Sequence, residues 1–154
     1  MRIFLDTNVV LRSIAPEQAA SNETAEAVDL LLVQKHRLTI PPQVLYEAWA
    51  VMTRQENGWA LSVSDADALL TNVLQTFDLV DQSDVDLATH WRTFIVNAAV
   101  RGTKSHDVRL AAAMTIHGID IILTRNTPDF RRLDGIRPLH PADVVRSGGL
   151  PPSF

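Results

Sequence analysis

The stretch Arg2-Ile3-Phe4-Leu5-Asp6-Thr7-Asn8 decides the fold. Its apolar run predicts a strand over residues 2–5, and the polar residues that follow predict that this strand passes straight into a helix. A strand followed by a helix is the first part of a β-α-β unit. Because ligands of such sheets sit beyond the carboxyl ends of the strands, the carboxylate of Asp6 is expected at a binding edge.

Strand-like and helical segments alternate along the rest of the chain. Right-handed crossovers between parallel strands place helices on both faces of a sheet. The sequence therefore predicts an α/β fold, with α/β/α layers and a mainly parallel sheet of about five strands. The strands are predicted near residues 2–5, 38–40, 78–80, 119–123 and 136–139, and helices are predicted to begin near Glu23, Pro42, Ser64, Asp84 and Ser105.

Local signals give the expected ends of these elements. Ser105 is predicted to cap its helix, and Gly58 is predicted to end the helix that begins at Pro42. Residues 1–146 are predicted to form a single domain, and residues 147–154, rich in glycine and proline, are predicted to be a flexible tail.

Composition excludes several classes of protein. The chain has 154 residues, of which 46% are hydrophobic and 21% charged, so a single globular domain with a real core is expected. No apolar run is long enough for a membrane span, and the first residues lack the apolar core of a signal peptide. The absence of cysteine excludes disulfides, thiolate zinc sites and cysteine nucleophiles. We therefore expect a soluble, cytoplasmic protein.

The net charge of −4 argues against a nucleic-acid partner, but its distribution argues the other way. Residues 1–100 contain six Lys/Arg and thirteen Asp/Glu, a balance of −7, whereas residues 101–154 contain eight and five, a balance of +3. Lys104, Arg109 and Arg125 flank the candidate site and are the expected contacts for nucleic-acid phosphates if that site is functional. Scattered solvated charge explains the same pattern equally well.

Three carboxylates are expected to meet at one end of the domain. Asp6 follows the first strand, Glu47 borders the apolar stripe of a helix, and Asp107 lies in the first turn of another helix. Carboxylates that converge repel one another unless cations hold them together. Oxygen-only ligands suit Mg²⁺ or Mn²⁺, and such sites mostly perform phosphoryl chemistry.

Each carboxylate also has an explanation that involves no site. Asp6 fits a helix N-cap, Glu47 fits an exposed helix position, and Asp107 fits the favourable interaction of an acid with the helix dipole. It is their joint placement that favours a functional site.

The chain resembles a known family in three stretches, residues 5–8, 102–111 and 123–130, which occur in order with Glu47 between the first two. This combination resembles the PIN-domain family, and closely its bacterial toxin branch of the VapC type, over nearly the whole chain. The resemblance implies a metal-dependent endoribonuclease that uses Mg²⁺ or Mn²⁺. Asp6, Glu47 and Asp107 match the three core acidic positions and are the implied metal ligands and catalytic residues.

The match is incomplete at a fourth position, where many family members carry aspartate and this chain has Asn126. An amide can ligate a metal or hold a water but brings no charge, so one tightly held ion and a second recruited with substrate are expected. Thr124 is assigned to the site as a residue that orients a carboxylate or a water, although a structural role fits equally. Asn8 and Asp129 are further candidates to support a metal or a water.

The resemblance also implies partners, namely an antitoxin protein that blocks the cleft and a second copy of the chain in a homodimer. A groove for an antitoxin helix is expected on the apolar face that comprises Leu30, Leu31, Leu45, Trp49 and Met52, although core packing explains each of these residues as well. The alternative function is a non-catalytic PIN-like module that binds RNA or protein. Asn126 favours this alternative, and the gathering of three repelling acids opposes it.

Overall fold

A computed structural model describes residues 1–14, 23–81 and 83–154. Its strands are β1 (Arg2–Leu5), β2 (Arg37–Ile40), β3 (Asp78–Leu79), β4 (Ile121–Leu123) and β5 (Arg137–Leu139). They form one sheet in the order β3-β2-β1-β4-β5, and every pairing is parallel. The predicted α/β/α fold with a five-stranded parallel sheet is confirmed.

The helices that connect and follow the strands are α1 (Thr7–Ile14), α2 (Glu23–Val33), α3 (Pro42–Thr53), α4 (Val63–Thr76), α5 (Asp84–Asn97), α6 (Ser105–Ile116), α7 (Thr127–Arg131) and α8 (Pro141–Ser147). A short 3₁₀ turn, Gly102–Lys104, leads into α6. No helix in the described ranges is long and apolar enough to cross a membrane.

The central strand β1 supplies the middle of the core. Ile3, Phe4 and Leu5 have no solvent exposure, as expected for a parallel strand covered by helices on both faces. β1 pairs with β2 on one side and with β4 on the other, with Leu5 opposite Leu123. The strand order therefore places the carboxyl ends of β1 and β4 side by side.

Several predicted helix ends are wrong. The N-cap of α6 is Lys104 and makes no side-chain cap, so Ser105 is the first helical residue and not the cap. Helix α3 ends at Thr53, four residues before Asn57-Gly58. Helix α4 is capped by Ser62, whose hydroxyl accepts a hydrogen bond from the Asp65 amide at 3.1 Å, so α4 starts slightly earlier than predicted.

The apolar residues assigned to an antitoxin groove do not form one continuous surface. Leu31 lies in the main core and Met52 in a second cluster, and both are fully buried. Leu30 and Leu45 are half-buried against the main core, whereas Trp49 is half-buried against the second cluster. The apolar helical spacing of these residues therefore indicates helix faces that pack against the core.

The C-terminal segment makes specific contacts with the domain. The guanidinium of Arg137 lies over the ring of Phe154, 4.8 Å from its centroid, and donates a hydrogen bond to the Ser153 carbonyl at 2.8 Å. The side-chain amide of Gln34 donates to the Gly148 carbonyl at 3.0 Å and accepts from the Leu150 amide at 3.2 Å. The segment packs on the domain, and its predicted flexibility stays a prediction.

Candidate active site

Asp6 lies directly after β1, next to the end of β4. Its backbone N–H donates to the Leu123 carbonyl at 3.1 Å, which continues the pairing of the two strands. One carboxylate oxygen, Oδ2, accepts two hydrogen bonds of 2.6 Å, from the Thr124 hydroxyl and from the Asn8 side-chain amide. The residues that follow two neighbouring strands thus fix the orientation of this carboxylate.

The environment of Asp6 opposes its negative charge. The residue is 7% exposed, and its pKa is raised from 3.8 to about 6, chiefly by burial. The nearby carboxylates of Asp107 and Glu47 contribute to this increase, whereas the hydrogen bond from Thr124 opposes it. Asp6 is therefore a buried acid whose ionised form lacks full compensation.

Glu47 projects from α3 and has a donor on each carboxylate oxygen. Its Oε2 accepts a hydrogen bond from the Thr7 hydroxyl at 2.5 Å, and its Oε1 accepts one from the side-chain amide of Gln43 at 2.6 Å. Thr7 is the first residue of α1, next to Asp6. The position of Glu47 is therefore tied to the strand-to-helix junction that carries Asp6.

Asp107 lies in the first turn of α6, where the helix dipole favours an acid. Partial burial raises its pKa, and the neighbouring charges of Asp129 and Glu47 raise it further. His106 and Lys104 act in the opposite direction. Like Asp6, Asp107 is an acid placed among other acids.

These side chains share one open cleft of about 450 Å³, which we call the acidic cleft. It is lined by Asp6, Thr7, Asn8, Glu47, Asp107 and Asn126 on its polar side and by Leu11, Ala50 and Val51 on its apolar side. The structure therefore brings together the three acids, although Asp6 and Asp107 are more than 100 residues apart in the sequence.

The donor set of the acidic cleft fits a hard divalent cation. Within the described ranges, none of Asp6, Glu47 and Asp107 has a Lys or Arg partner within 4 Å. Hydrogen bonds and the nearby charges of His106 and Lys104 therefore offset only part of the charge of the three acids. Carboxylate and amide oxygens are the ligands of Mg²⁺ and Mn²⁺. Among the described residues, no group of three or more His, Asp or Glu side chains is arranged around an ion position.

Asn126 lies at the edge of the acidic cleft and anchors a small polar network. Its side-chain amide donates to Oδ2 of Asp129 at 2.5 Å, and Lys104 donates to Oδ1 of the same carboxylate at 2.7 Å. Lys104 and then Asn126 lower the pKa of Asp129. Because Lys104 forms an ion pair with Asp129, the charge of this carboxylate is compensated, unlike that of the three acids of the cleft.

The predicted phosphate contacts do not all lie at the acidic cleft. Arg109 lines a separate pocket with Asp84, Leu87, Ala88 and Trp91, so the structure does not bring it to the acids. Arg125 donates from its side chain to the Thr24 hydroxyl at 3.3 Å and lies 3.9 Å from Glu23. Lys104 is exposed and connected to the site through Asp129.

Two residues of the site were missed in the sequence. Thr7 and Gln43 are the donors to Glu47. The signal for Gln43 is its position four residues before Glu47, which places both side chains on one helix face. The signal for Thr7 is only its adjacency to Asp6.

Comparison with known proteins agrees with this geometry. The sequence profile of the PIN domain matches residues 3–136. No curated protein sequence matches the chain at a significant level.

Among solved structures, VapBC2 from Rickettsia felis bound to a promoter DNA fragment matches with a TM-score of 0.68 and 16% identity, over 91% of this chain and 98% of that chain. DNA-bound VapBC from Salmonella typhimurium matches with a TM-score of 0.68 and 18% identity, over 92% and 98%. A toxin-antitoxin complex from Klebsiella pneumoniae matches with a TM-score of 0.61 and 18% identity, over 90% and 97%. At these identities the matches establish a shared fold.

Proposed function

The chain belongs to the PIN domain family, and on that premise we propose that it is a metal-dependent endoribonuclease that hydrolyses RNA phosphodiester bonds. The observation that carries this proposal is the acidic cleft, where three carboxylates meet with no Lys or Arg side chain within 4 Å in the described residues. Gathering acids that repel one another destabilises a protein, and a bound cation offsets that repulsion.

The residues proposed to hold the ion are Asp6, Glu47 and Asp107, with Asn126 in support. When bound, Mg²⁺ or Mn²⁺ supplies positive charge to the scissile phosphate and lowers the pKa of a bound water. The uncharged amide of Asn126 at the fourth position favours one tightly held ion, with a second recruited together with the RNA.

The protein's own contribution is to hold the acids in place. Thr124 and Asn8 orient Asp6 through hydrogen bonds of 2.6 Å, and Thr7 orients Glu47. Such outer contacts fix ligand direction and adjust ligand basicity. The apolar wall of the acidic cleft offers a surface for the uncharged part of a nucleotide, and exposed Lys104 offers a contact for an RNA phosphate.

We extend the proposal to the biological role. The solved structures of similar fold include a toxin-antitoxin complex and two VapBC complexes, and we propose that this chain is likewise the toxin of a toxin-antitoxin pair. It would act in the cytoplasm as a homodimer and be inhibited by an antitoxin protein.

Cleavage of a structured RNA mixture tests the enzymatic proposal. Purified protein free of antitoxin is incubated with Mg²⁺, Mn²⁺ or EDTA, beside Asp6→Asn and Asp107→Asn. Asp120→Asn is the matched control, because Asp120 lies before β4 at the opposite end of the sheet and is paired with Arg137 at 3.2 Å. Cleavage that requires metal and is lost only in the two cleft variants is the expected result. Equal cleavage by all four proteins would contradict it.

Induced expression in bacteria tests the toxin role separately. Wild-type protein is expected to arrest growth, and Asp6→Asn at the same expression level is expected to permit it. Growth arrest by both proteins would show that toxicity does not depend on Asp6 in the acidic cleft. If neither RNA cleavage nor metal binding is found, the non-catalytic binding module becomes the better description.

A further inference from the structure

We propose that Gln43 is a positioning residue for the acidic cleft. It fixes the position of Glu47 relative to α6, the helix that carries Asp107. This inference rests on the proposed metal-dependent function and adds a residue to it. Gln43 lies in the first turn of α3 and is 5% exposed. A polar side chain so deeply buried is expected to have a specific bonding role.

The side-chain amide nitrogen of Gln43 contacts two elements at once. It donates to Oε1 of Glu47 at 2.6 Å and to the carbonyl of His106 at 3.2 Å. His106 directly precedes Asp107 in the first turn of α6. The two N–H groups of one amide therefore link the helix that carries Glu47 to the helix end that carries Asp107.

The orientation of this amide is fixed by its partners. Turning the amide over would place Oε1 against a carboxylate oxygen and a carbonyl oxygen, both of which are acceptors. In the observed orientation Oε1 is buried and has no hydrogen-bond partner among the residues that the structure describes. A buried unpartnered oxygen is destabilising, so a glutamine is a poor choice for stability alone at this position. The two donated bonds explain its presence as a requirement of the site.

A continuous series of bonds results. Thr7, which follows Asp6, donates to one oxygen of Glu47, and Gln43 donates to the other. Through His106 the series reaches the residue before Asp107. Glu47 is therefore held on one side by Thr7, the neighbour of Asp6. On the other side it is held by Gln43, which also binds the neighbour of Asp107.

The test is Mn²⁺ binding by isothermal titration calorimetry on the full-length protein. Gln43→Met has a similar volume and removes both donated bonds. We expect its Mn²⁺ affinity to fall about 10–100-fold, the usual effect of removing a group that orients a metal ligand. Gln43→Asn retains an amide but is one methylene shorter, so it cannot span both acceptors, and its affinity is also expected to fall.

Thr39→Val is the matched control for loss of a buried hydrogen bond. Thr39 is 1% exposed, and its hydroxyl donates to the Ile3 carbonyl at 3.2 Å, away from the acidic cleft. Its substitution is expected to lower the free energy of unfolding while leaving Mn²⁺ affinity unchanged. If Gln43 contributes only to stability, Gln43→Met will likewise lower the free energy of unfolding and leave Mn²⁺ affinity unchanged.

A double-mutant cycle with Glu47→Gln identifies the route of the effect. If Gln43 acts through Glu47, the affinity change caused by Gln43→Met is expected to shrink when Glu47 is already substituted. Folded Gln43→Met and Gln43→Asn proteins with wild-type Mn²⁺ affinity would overturn the positioning role and leave the nuclease proposal standing. A wild-type protein that binds no Mn²⁺ would instead overturn the metal-dependent function and this inference with it.

Discussion

Thr124 donates its hydroxyl to Oδ2 of Asp6 at 2.6 Å, although 118 positions separate the two residues in the chain. The contact exists because β1 and β4 are neighbours in the sheet and both residues directly follow their strands. The Thr124 hydroxyl also accepts the Asn126 backbone N–H at 3.0 Å. The buried hydroxyl of Thr124 therefore connects Asp6 to the loop that carries Asn126.

Removing this hydroxyl is expected to raise the pKa of Asp6 further. Thr124→Val keeps the shape of the side chain but loses the hydrogen bond that lowers that pKa. Thr124→Ser retains the bond and is the control. The measurement is a pH titration of the Asp6 carboxyl carbon by NMR in EDTA. A wild-type midpoint in Thr124→Val would show that the hydrogen bond does not act on Asp6.

Asp6→Asn is expected to stabilise the metal-free protein at neutral pH. The pKa of Asp6 is about 6 in the folded protein and 3.8 ordinarily, so the folded state binds the proton more tightly than the unfolded chain. Ionised Asp6 therefore destabilises the fold above pH 6, and this penalty disappears as the pH falls toward 3.8. At pH 7.5 the substitution is expected to add about 1–3 kcal/mol to the free energy of unfolding.

Urea unfolding in EDTA at pH 7.5 and 4.5 measures this effect. The gain from Asp6→Asn is expected to be larger at pH 7.5. Asp29→Asn, an exposed change in α2, is the control and is expected to have little effect at either pH. A destabilised Asp6→Asn protein at pH 7.5 would mean that the carboxylate is well compensated in the metal-free fold.

Asn126→Asp is expected to strengthen Mn²⁺ binding and to destabilise the metal-free protein. The change adds a negative charge to the acidic cleft. It also replaces the side-chain amide of Asn126, which donates to Oδ2 of Asp129 at 2.5 Å in the wild type, with a carboxylate that repels Asp129. Asn126→Asp combined with Asp129→Asn is expected to recover stability while keeping the tighter binding. Calorimetry gives the affinity and the number of ions, and urea unfolding gives the stability. Unchanged affinity would place Asn126 outside the metal site.

Lys104→Gln and Arg109→Gln are expected to differ in RNA binding. Lys104 is connected to the acidic cleft through Asp129 and Asn126, whereas Arg109 lines a separate pocket. Loss of one phosphate contact is expected to reduce the slope of log affinity against log salt by about 1, so Lys104→Gln should show this change and Arg109→Gln should not. Fluorescence anisotropy with Asp6→Asn as the inactive background measures both. A matching reduction in Arg109→Gln would indicate an RNA path across α5 and α6.

The sequence was sufficient for the fold because the relevant signals are local. The apolar run of β1 and its passage into α1 are continuous in the chain, and parallel pairing followed from alternating elements. The helix ends were less accurate. Ser105 is the better capping side chain, but the 3₁₀ turn Gly102–Lys104 leads directly into α6 and makes Ser105 the first helical residue. The short helices α7 and α8 were not predicted, because five and seven residues are too few for a periodic pattern.

The site was predictable to the level of its acids but not of their partners. Asp6, Glu47 and Asp107 follow from strand ends and helix faces, which local sequence reveals. The donors Thr7 and Gln43 depend on how α1, α3 and α6 approach one another, and this approach is set by packing. Arg109 was assigned to the site by closeness in sequence to Asp107, but α6 directs it to a different pocket.

The most direct test of the central claim is Mn²⁺ binding to the metal-free wild-type protein, compared with Asp6→Asn, Asp107→Asn and the control Asp120→Asn. Wild type and Asp120→Asn are expected to bind alike, and each cleft variant is expected to bind at least about 10-fold more weakly, because each loses a ligand of the same ion. Equal binding by all four proteins would place the ion elsewhere. No binding by the wild type would contradict the claim that the acidic cleft is a metal site.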